Sequence, residues 1–174
     1  MTRVGWPGPW WDRAVRCQTR GMEITLADVP DQPAVAVLHV GPYNQIGPSF
    51  ERLGTWATAN PGSVTGPPLA LFLDDPESTP PDQLRSYAAL PVVQDLALDA
   101  AEVEQIRLAG GRCAVAVHVG SYEGLGRAWQ EFMAAIDADG LHPDASRPCF
   151  EVYANDPGMV PEEQLRTELH QPVT

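Results

Sequence analysis

Two stretches of the chain repeat the same succession of apolar and polar positions. Each begins with an apolar run rich in β-branched residues, at 35–40 and again at 113–119, which predicts a strand. Apolar residues at helical spacing follow, through Ile46 and Leu53 in the first stretch and over about 124–137 in the second. Each stretch therefore predicts a strand followed by an amphipathic helix.

In both stretches, residues that end a helix follow the helical pattern, and two shorter apolar runs come after them. The Asn-Pro-Gly sequence at 60–62 ends the first predicted helix, and Gly140 ends the second. Two more strands follow each helix. They are predicted at 69–73, 84–91, 150–154 and 164–171. Each stretch therefore forms a β-α-β-β unit.

The two units are copies of one another. Residues 34–91 align with 113–172, and the second copy has two extra residues in its middle. The matched pairs include His39 and His118, Gly41 and Gly120, and Tyr43 and Tyr122. Such a duplication predicts an α+β fold, in which two β-α-β-β units related by pseudo-two-fold symmetry form antiparallel sheets with two helices and a central cleft.

The segments outside the copies complete the predicted organisation. We expect one domain at 22–174, with repeat one at about 22–92 and repeat two at about 103–174. Within it an additional strand precedes each copy, at 23–29 and at 103–108, and residues 93–102 form the linker.

A tryptophan-rich lead segment at 1–21 precedes this domain and matches neither copy. It contains Trp6, Trp10 and Trp11 among glycine and proline residues. Three tryptophans on a free arm would favour aggregation. We therefore expect the lead segment to fold back over an apolar surface; the alternative is a mobile arm.

Charge and cysteine usage exclude several classes of function. The net charge of −12 at pH 7 disfavours direct binding to nucleic acid. No apolar run is long enough for a transmembrane helix, so we expect no membrane contact and a cytoplasmic protein. Cys17, Cys113 and Cys149 are odd in number and widely spaced, which argues against a disulfide framework or a zinc site. We expect no metal and no other cofactor.

Glu151 is the strongest candidate for chemistry. Repeat one has Ala70 at the same position, so the carboxylate does not belong to the duplicated scaffold. Strand alternation places Glu151 and Tyr153 on one face, with Phe150 and Val152 on the other. If the first face lines the cleft, Glu151 is a catalytic or charge-pairing group; the alternative is an edge-strand glutamate that faces water.

Matched aromatic residues are candidates for ligand binding. Tyr43 and Tyr122 follow equivalent strands and could sandwich a flat ligand, or could pack on their own helices. Trp129 could form a cleft wall or belong to the core. Phe72 and Tyr153 occupy equivalent positions in later strands and complete the candidate walls.

His39 and His118 end equivalent strands and are further candidates for ligand binding. The alternative is that duplication alone explains the pair. No cluster of Cys and His at ligand spacing accompanies them, and no Gly-x-Ser-x-Gly sequence is present.

The turn at 41–43 (Gly-Pro-Tyr) and the segment at 150–157 (Phe-Glu-Val-Tyr-Ala-Asn-Asp-Pro) resemble the GyrI-like family. That family includes the gyrase inhibitor SbmC and the effector-binding domains of Rob- and BmrR-type transcription regulators. The resemblance covers about residues 22–174. It implies a groove that holds flat, apolar and often cationic compounds, with an acidic strand residue, here Glu151, facing the ligand. Some stand-alone members resemble hydrolases that open the cyclopropane of DNA-alkylating natural products.

The sequence favours a detoxifying, self-resistance hydrolase of this last kind. Glu151 would orient or deprotonate a water, and an aromatic hydroxyl, that of Tyr122 or of Tyr43, would hold the carbonyl of the ligand. The first alternative is a binding protein that sequesters the compound without turnover. The second is a protein partner of DNA gyrase, which the acidic charge would suit.

Overall fold

The computed structural model of the protein describes residues 15–17, 22–93, 96 and 103–174. The described residues contain two helices, α1 (Gly47–Ala59) and α2 (Leu125–Ala138). Their strands are β1 (Val15–Cys17), β2 (Ile24–Val29), β3 (Gln32–Val40), β4 (Leu69–Phe72), β5 (Arg85–Pro91), β6 (Glu104–Leu108), β7 (Gly111–Val119), β8 (Cys149–Tyr153) and β9 (Arg166–Pro172). The docking expected of Trp6, Trp10 and Trp11 and most of the predicted linker lie outside the described residues.

The described strands form one sheet in which every neighbouring pair is antiparallel. Their order is β1-β2-β7-β9-β8-β4-β5-β3-β6. The first strand of each repeat pairs with the other repeat, because β2 pairs with β7 and β6 pairs with β3. Each repeat therefore completes the sheet of the other. The predicted duplicated α+β fold with two helices is confirmed.

The pseudo-two-fold axis passes between β4 and β8, where the two repeats meet. Ala70 lies directly opposite Glu151, and these residues occupy the same position in the two repeats. On either side, Leu69 lies opposite Val152 and Leu71 lies opposite Phe150. The register thus places a carboxyl side chain and its methyl counterpart face to face at the axis.

Both helices cover the same face of the sheet. A row of cross-strand neighbours on that face runs through Val37, Ala88, Ala70, Glu151, Leu169 and Ala116. Leu53 of α1 packs over repeat one and Phe132 of α2 packs over repeat two, and both are almost fully buried. Burial of such a side chain contributes about 1.5–3 kcal/mol. Since α1 packs on β3 and β5 and α2 on β7 and β2, a strip above β4 and β8 remains between the helices.

Strand boundaries differ from the prediction where proline begins a turn. Residues 162–164 form a single turn of 3₁₀ helix after Pro161, so β9 begins at Arg166. Proline fixes φ near the value that such a turn requires, and Pro161 has φ −61°. Strand β3 begins at Gln32, earlier than predicted, because pairing with Leu108 of β6 extends it.

Candidate functional site

Glu151 lies at the centre of the strip between the helices. Its side chain shares a face with Ala70 on one side and Leu169 on the other, and it is 4% exposed. A buried carboxylate loses its hydration, and hydrogen bonds or an opposite charge must offset that loss. The local surroundings of Glu151 therefore decide what it can do.

Two aromatic side chains donate hydrogen bonds to the Glu151 carboxylate. Nε1 of Trp129 on α2 donates to Oε1 at 2.7 Å, and the hydroxyl of Tyr153 donates to Oε2 at 2.8 Å. Burial raises the pKa of Glu151, although the hydrogen bonds from Trp129 and Tyr153 and the nearby His118 oppose that rise. The carboxyl group is thus fixed in orientation and shifted toward the range useful for proton transfer.

Six aromatic side chains surround this carboxylate, three from each repeat. We call them the aromatic cage: Tyr43, Phe50, Phe72, Tyr122, Trp129 and Tyr153. Within repeat one, the rings of Tyr43 and Phe72 lie 4.7 Å apart between centroids. The matching distance in repeat two, between Tyr122 and Tyr153, is 5.5 Å. Across the axis, Phe50 contacts Tyr153 at 5.4 Å and Phe72 contacts Trp129 at 6.3 Å.

The two cage tyrosines that follow β3 and β7 differ in their hydroxyl groups. The Tyr43 hydroxyl donates to the backbone carbonyl of Asp74 at 2.6 Å. Within the described part of the chain, the Tyr122 hydroxyl has no hydrogen-bond partner, and its side chain is 39% exposed. Burial and nearby acidic groups raise the pKa of Tyr122, so this hydroxyl stays protonated at neutral pH. Tyr122 therefore presents a hydrogen-bond donor that Tyr43 does not.

The cage opens into a large groove between the helices, with a volume of about 2150 Å³. Loops at 73–77, 143–148 and 154–157 form its rim. Among the described lining residues, seven have a carboxylate side chain and one, Arg147, has a positively charged side chain. The seven are Asp74, Asp75, Glu77, Glu123, Asp144, Glu151 and Asp156. The groove is therefore apolar at its centre and strongly acidic around it.

The Arg147 side chain is bonded to neighbouring protein groups, so it is not available to a ligand. Its guanidinium group binds the Asp144 carboxylate at 2.8 Å and the carbonyls of Gly110 and Arg112 at 3.2 and 2.9 Å. Hydrogen bonds from Ser146 and from Arg147 lower the pKa of Asp144 to about 2. Asp144 is thus paired with Arg147, and Asp74 is paired with Arg85 at 2.8 Å. Among the described lining residues, the other five carboxylates make the groove acidic.

His39 and His118, both predicted to bind ligand, lie outside the lining of the groove. Each ring nitrogen Nε2 instead bonds to the turn that follows its own strand, His39 to the Pro42 carbonyl at 3.1 Å and His118 to the Ser121 carbonyl at 2.9 Å. The other predicted site residues meet in the groove. These are Glu151, Tyr122, Tyr43, Trp129, Tyr153 and Phe72.

Sequence reasoning missed two lining residues that bear on the chemistry of the groove, Phe50 and Cys149. Phe50 completes the aromatic cage, and its match to Trp129 in the repeat alignment was the signal that could have identified it. Cys149 lies on the same face of β8 as Glu151. Burial raises the pKa of the Cys149 thiol to about 11, so the thiol is protonated and weakly nucleophilic at neutral pH.

Two other kinds of feature, a metal site and a membrane-spanning helix, are absent from the described part of the chain. No group of three or more His, Cys, Asp or Glu side chains is arranged to hold a metal ion there. Neither of its helices has the length and apolar character needed to cross a bilayer.

Comparison with known proteins agrees with this architecture. Residues 22–174 match the model of the GyrI-like small molecule binding domain. DNA gyrase inhibitor 1 of Dickeya dadantii is 33% identical over 141 residues, which cover 78% of this chain and 90% of that protein.

Solved structures share the fold at low identity. The protein SAV2435, solved with bound tetraphenylphosphonium, has a TM-score of 0.64 at 20% identity and covers 88% of this chain and 94% of its own. A hydrolase from Listeria innocua has a TM-score of 0.61 at 18% identity, with coverage of 87% and 91%. The chain belongs to the family of GyrI-like small molecule binding domains.

Proposed function

We propose that the groove binds a flat, largely apolar small molecule with a positive or electron-deficient centre, and that the protein detoxifies such a compound by hydrolysing a strained ring. The observation that carries this proposal is the Glu151 carboxylate, buried inside the aromatic cage and oriented by Trp129 and Tyr153. A fixed negative charge among aromatic faces is the arrangement that favours a flat cation.

Binding would draw on two favourable terms. Aromatic faces attract a cation by about 0.5–2 kcal/mol each, with the larger values in water-excluded sites. Among the described residues no cationic side chain forms an ion pair with the buried Glu151 carboxylate, and a bound cation would supply that counter-charge. The SAV2435 structure, which shares this fold, holds tetraphenylphosphonium, an apolar aromatic cation whose four rings are arranged tetrahedrally and not in one plane.

The acidic rim would raise the association rate of a cationic ligand, and it would contribute little to the contacts of the bound ligand. Asp75 and Asp156 occupy matching positions in the two repeats, and both are exposed. Clusters of one charge sign raise the local concentration of oppositely charged ligands, and salt screens the effect. We expect the association rate of a cation to fall as ionic strength rises.

The proposed hydrolysis acts on a cyclopropane conjugated to a carbonyl group. A water oxygen bonds to the ring methylene carbon, the strained carbon–carbon bond breaks, and its electron pair moves to the carbonyl oxygen. Glu151 accepts a proton from the water, and the free Tyr122 hydroxyl donates a hydrogen bond to the carbonyl oxygen as that oxygen gains charge. The proton then passes from Glu151 to the product oxyanion. The product is the substrate plus one water.

The binding proposal is tested with two probes of similar shape. Tetraphenylphosphonium is titrated into the protein, with neutral triphenylphosphine oxide as the matched control, and heat of binding and tryptophan fluorescence are recorded. We expect saturable binding of one cation per chain and at least tenfold weaker binding of the neutral probe. Equal affinity for both probes in the Tyr122→Phe variant, which cannot donate a hydrogen bond to the phosphine oxide oxygen, would remove the role given to Glu151.

The hydrolytic step is tested separately by mass spectrometry. The protein is incubated with a cyclopropane-bearing alkylating natural product in large excess. A mass gain of one water over many turnovers supports hydrolysis, and the Glu151→Gln variant should abolish it. Saturable binding with an unchanged ligand mass would leave a sequestering protein and reject the hydrolase.

A second candidate function is inhibition of DNA gyrase. The relatives named DNA gyrase inhibitor and the net charge of −12 favour it. A supercoiling assay with purified gyrase distinguishes this candidate, because inhibition that persists in the Glu151→Gln variant would not use the groove carboxylate.

A further inference from the structure

We infer that His118 is a positioning residue that holds Tyr122 in place at the groove, although it does not line the groove itself. This inference rests on the proposed function, because Tyr122 matters only if the groove binds a ligand. It gives a role to a histidine that lies outside the lining.

The local backbone explains how His118 reaches the turn. Gly120 has φ +126°, which reverses the chain directly after β7, and its N–H donates to the Leu165 carbonyl at 2.9 Å. The Ser121 carbonyl then lies 2.9 Å from Nε2 of His118. A carbonyl only accepts hydrogen bonds, so Nε2 carries the proton and donates it. The imidazole thereby ties the end of β7 to the turn at Tyr122–Gly124.

The turn also packs closely against the His118 ring. A Cβ atom at Gly124 would lie 2.9 Å from Cε1 of that ring, a distance too short for ordinary packing. Repeat one has Gln45 at the matching position. Only the second repeat therefore has a glycine that allows its turn to approach the histidine this closely.

The two repeats differ in how many attachments hold the tyrosine. Tyr43 has two, because His39 holds its turn at 3.1 Å and the Asp74 carbonyl accepts from its hydroxyl at 2.6 Å. Tyr122 has no hydrogen bond of its own among the described residues, so its position depends on its turn and on the ring contact with Tyr153. Within the turn, the Gly124 N–H donates to the Ser121 carbonyl at 3.0 Å and the Glu123 N–H donates to the Ser121 hydroxyl oxygen at 3.2 Å. His118 is the side chain that ties this turn to β7. Loss of His118 should release Tyr122, whereas loss of His39 should leave Tyr43 in place.

Fluorine NMR on the full-length chain tests this inference without any ligand. All four tyrosines are replaced biosynthetically by 3-fluorotyrosine, and each signal is assigned by a Tyr→Phe variant. In His118→Ala we expect the Tyr122 signal to move toward the free-tyrosine shift and sharpen. In the matched control His39→Ala the Tyr43 signal should keep its position. His118→Gln retains a side-chain N–H near the Nε2 position and should restore the native Tyr122 signal.

The tetraphenylphosphonium titration then tests whether displacement of Tyr122 weakens binding of the cation. His118→Ala should weaken binding roughly three- to fivefold, the size of one exposed cation–π contact. In a Tyr122→Ala background, the same change should alter affinity less than twofold, because the group that His118 positions is gone. Additive effects of the two substitutions would overturn the inference.

The outcomes separate this inference from the proposed function. A native Tyr122 signal in His118→Ala would overturn the positioning role, whatever the probe binds. Failure of the unmodified protein to bind the cation, combined with a released Tyr122 signal, would reject the proposed function and leave the structural role of His118 standing.

Discussion

The two repeats share a backbone plan, and three of the differences between their sequences come together beneath the groove. Repeat one has Ala70, Phe50 and Phe72, and repeat two has Glu151, Trp129 and Tyr153 at the matching positions. The three replacements come together in space, because the Trp129 indole and the Tyr153 hydroxyl both donate to Glu151. Repeat one is thus an internal control that lacks the polar triad and keeps the fold.

The comparison shows why the three polar residues occur as a set. A buried carboxylate without donors is costly, and a buried indole N–H or phenol without an acceptor costs about 1–3 kcal/mol. Repeat one avoids both costs with side chains that have no polar atoms. The scaffold therefore tolerates either a fully apolar set or a fully satisfied polar set at these positions.

The largest effect is expected when the charge of the triad is removed. Glu151→Gln keeps the shape of the side chain but removes its negative charge. A charge-assisted contact in a buried site is worth about 1.5–3 kcal/mol, so tetraphenylphosphonium affinity should fall about 10- to 150-fold. Calorimetric titration measures this loss.

The control for that loss is a carboxylate on the rim. Asp156 is exposed and lines the same groove, so Asp156→Asn should change affinity less than about twofold at physiological salt. Similar losses in both variants would mean that the groove senses total charge and not the buried carboxylate.

The next effect is expected from moving the triad across the axis. Ala70→Glu combined with Glu151→Ala transfers the carboxylate to the opposite residue, but Phe50 and Phe72 cannot donate to it. We expect this double variant to bind the cation as weakly as Glu151→Ala. Adding Phe50→Trp and Phe72→Tyr supplies the missing donors and should recover affinity to within about tenfold of the native protein.

The transfer experiment also tests the pseudo-two-fold axis itself. If the quadruple variant folds, as judged by its melting temperature, but stays as weak as the double variant, the two sides of the groove are not equivalent. The comparison between the repeats would then fail for binding, even though it holds for the backbone.

Local pattern predicted the fold and part of the site for identifiable reasons. The duplication is visible in the residues themselves, and a period of two places Glu151 and Tyr153 on one face of β8. The absence of a carboxylate at Ala70 singled out Glu151. These inferences need only short-range geometry within one strand or one copy.

The features of the fold and of the site that were not predicted depend on contacts between segments distant in the sequence. The exchange of β2 and β6 between repeats was not predicted, because an amphipathic pattern shows which face is buried and not which strand is the neighbour. The contact of Trp129 with Glu151 depends on how α2 packs on the sheet. His118 was placed at a strand end, but the direction of its ring follows from the reversal at Gly120.

A change of pH should act on stability through repeat two, because that repeat has the titratable Glu151 at the axis where repeat one has Ala70. The raised pKa of Glu151 means that the native protein binds this proton more tightly than the unfolded chain does. Stability relative to Glu151→Gln should therefore decrease as pH rises from the ordinary glutamate value of 4.5 to the raised value, and remain constant above it. Urea denaturation at several pH values measures this difference.

Cation binding should change in the opposite direction over the same interval. The ionised carboxylate is the form that attracts a cation, so affinity should rise with pH, by at most about tenfold per pH unit for one proton. The Glu151→Gln variant should lose this dependence. A rise that persists in the variant would assign the pH dependence to groups other than Glu151.

The smallest effect concerns the two tyrosine hydroxyls, and it is expected in stability rather than binding. Tyr43→Phe removes the hydrogen bond to Asp74 and should lower the free energy of unfolding by about 1 kcal/mol. Tyr122→Phe removes a hydroxyl without a described partner and should change it by less than about 0.5 kcal/mol. Urea denaturation with a common slope measures both changes.

For binding of a ligand with an oxygen acceptor, Tyr122→Phe should have the larger effect of the two variants, which is the opposite of their order for stability. The Tyr122 hydroxyl is available to that acceptor, whereas the Tyr43 hydroxyl is already engaged. Triphenylphosphine oxide, whose oxygen accepts hydrogen bonds, should therefore bind a few-fold more weakly to Tyr122→Phe and unchanged to Tyr43→Phe. If Tyr43→Phe weakened this binding instead, the Asp74 contact would have to open on ligand entry, and repeat one would be the side that moves to meet the ligand.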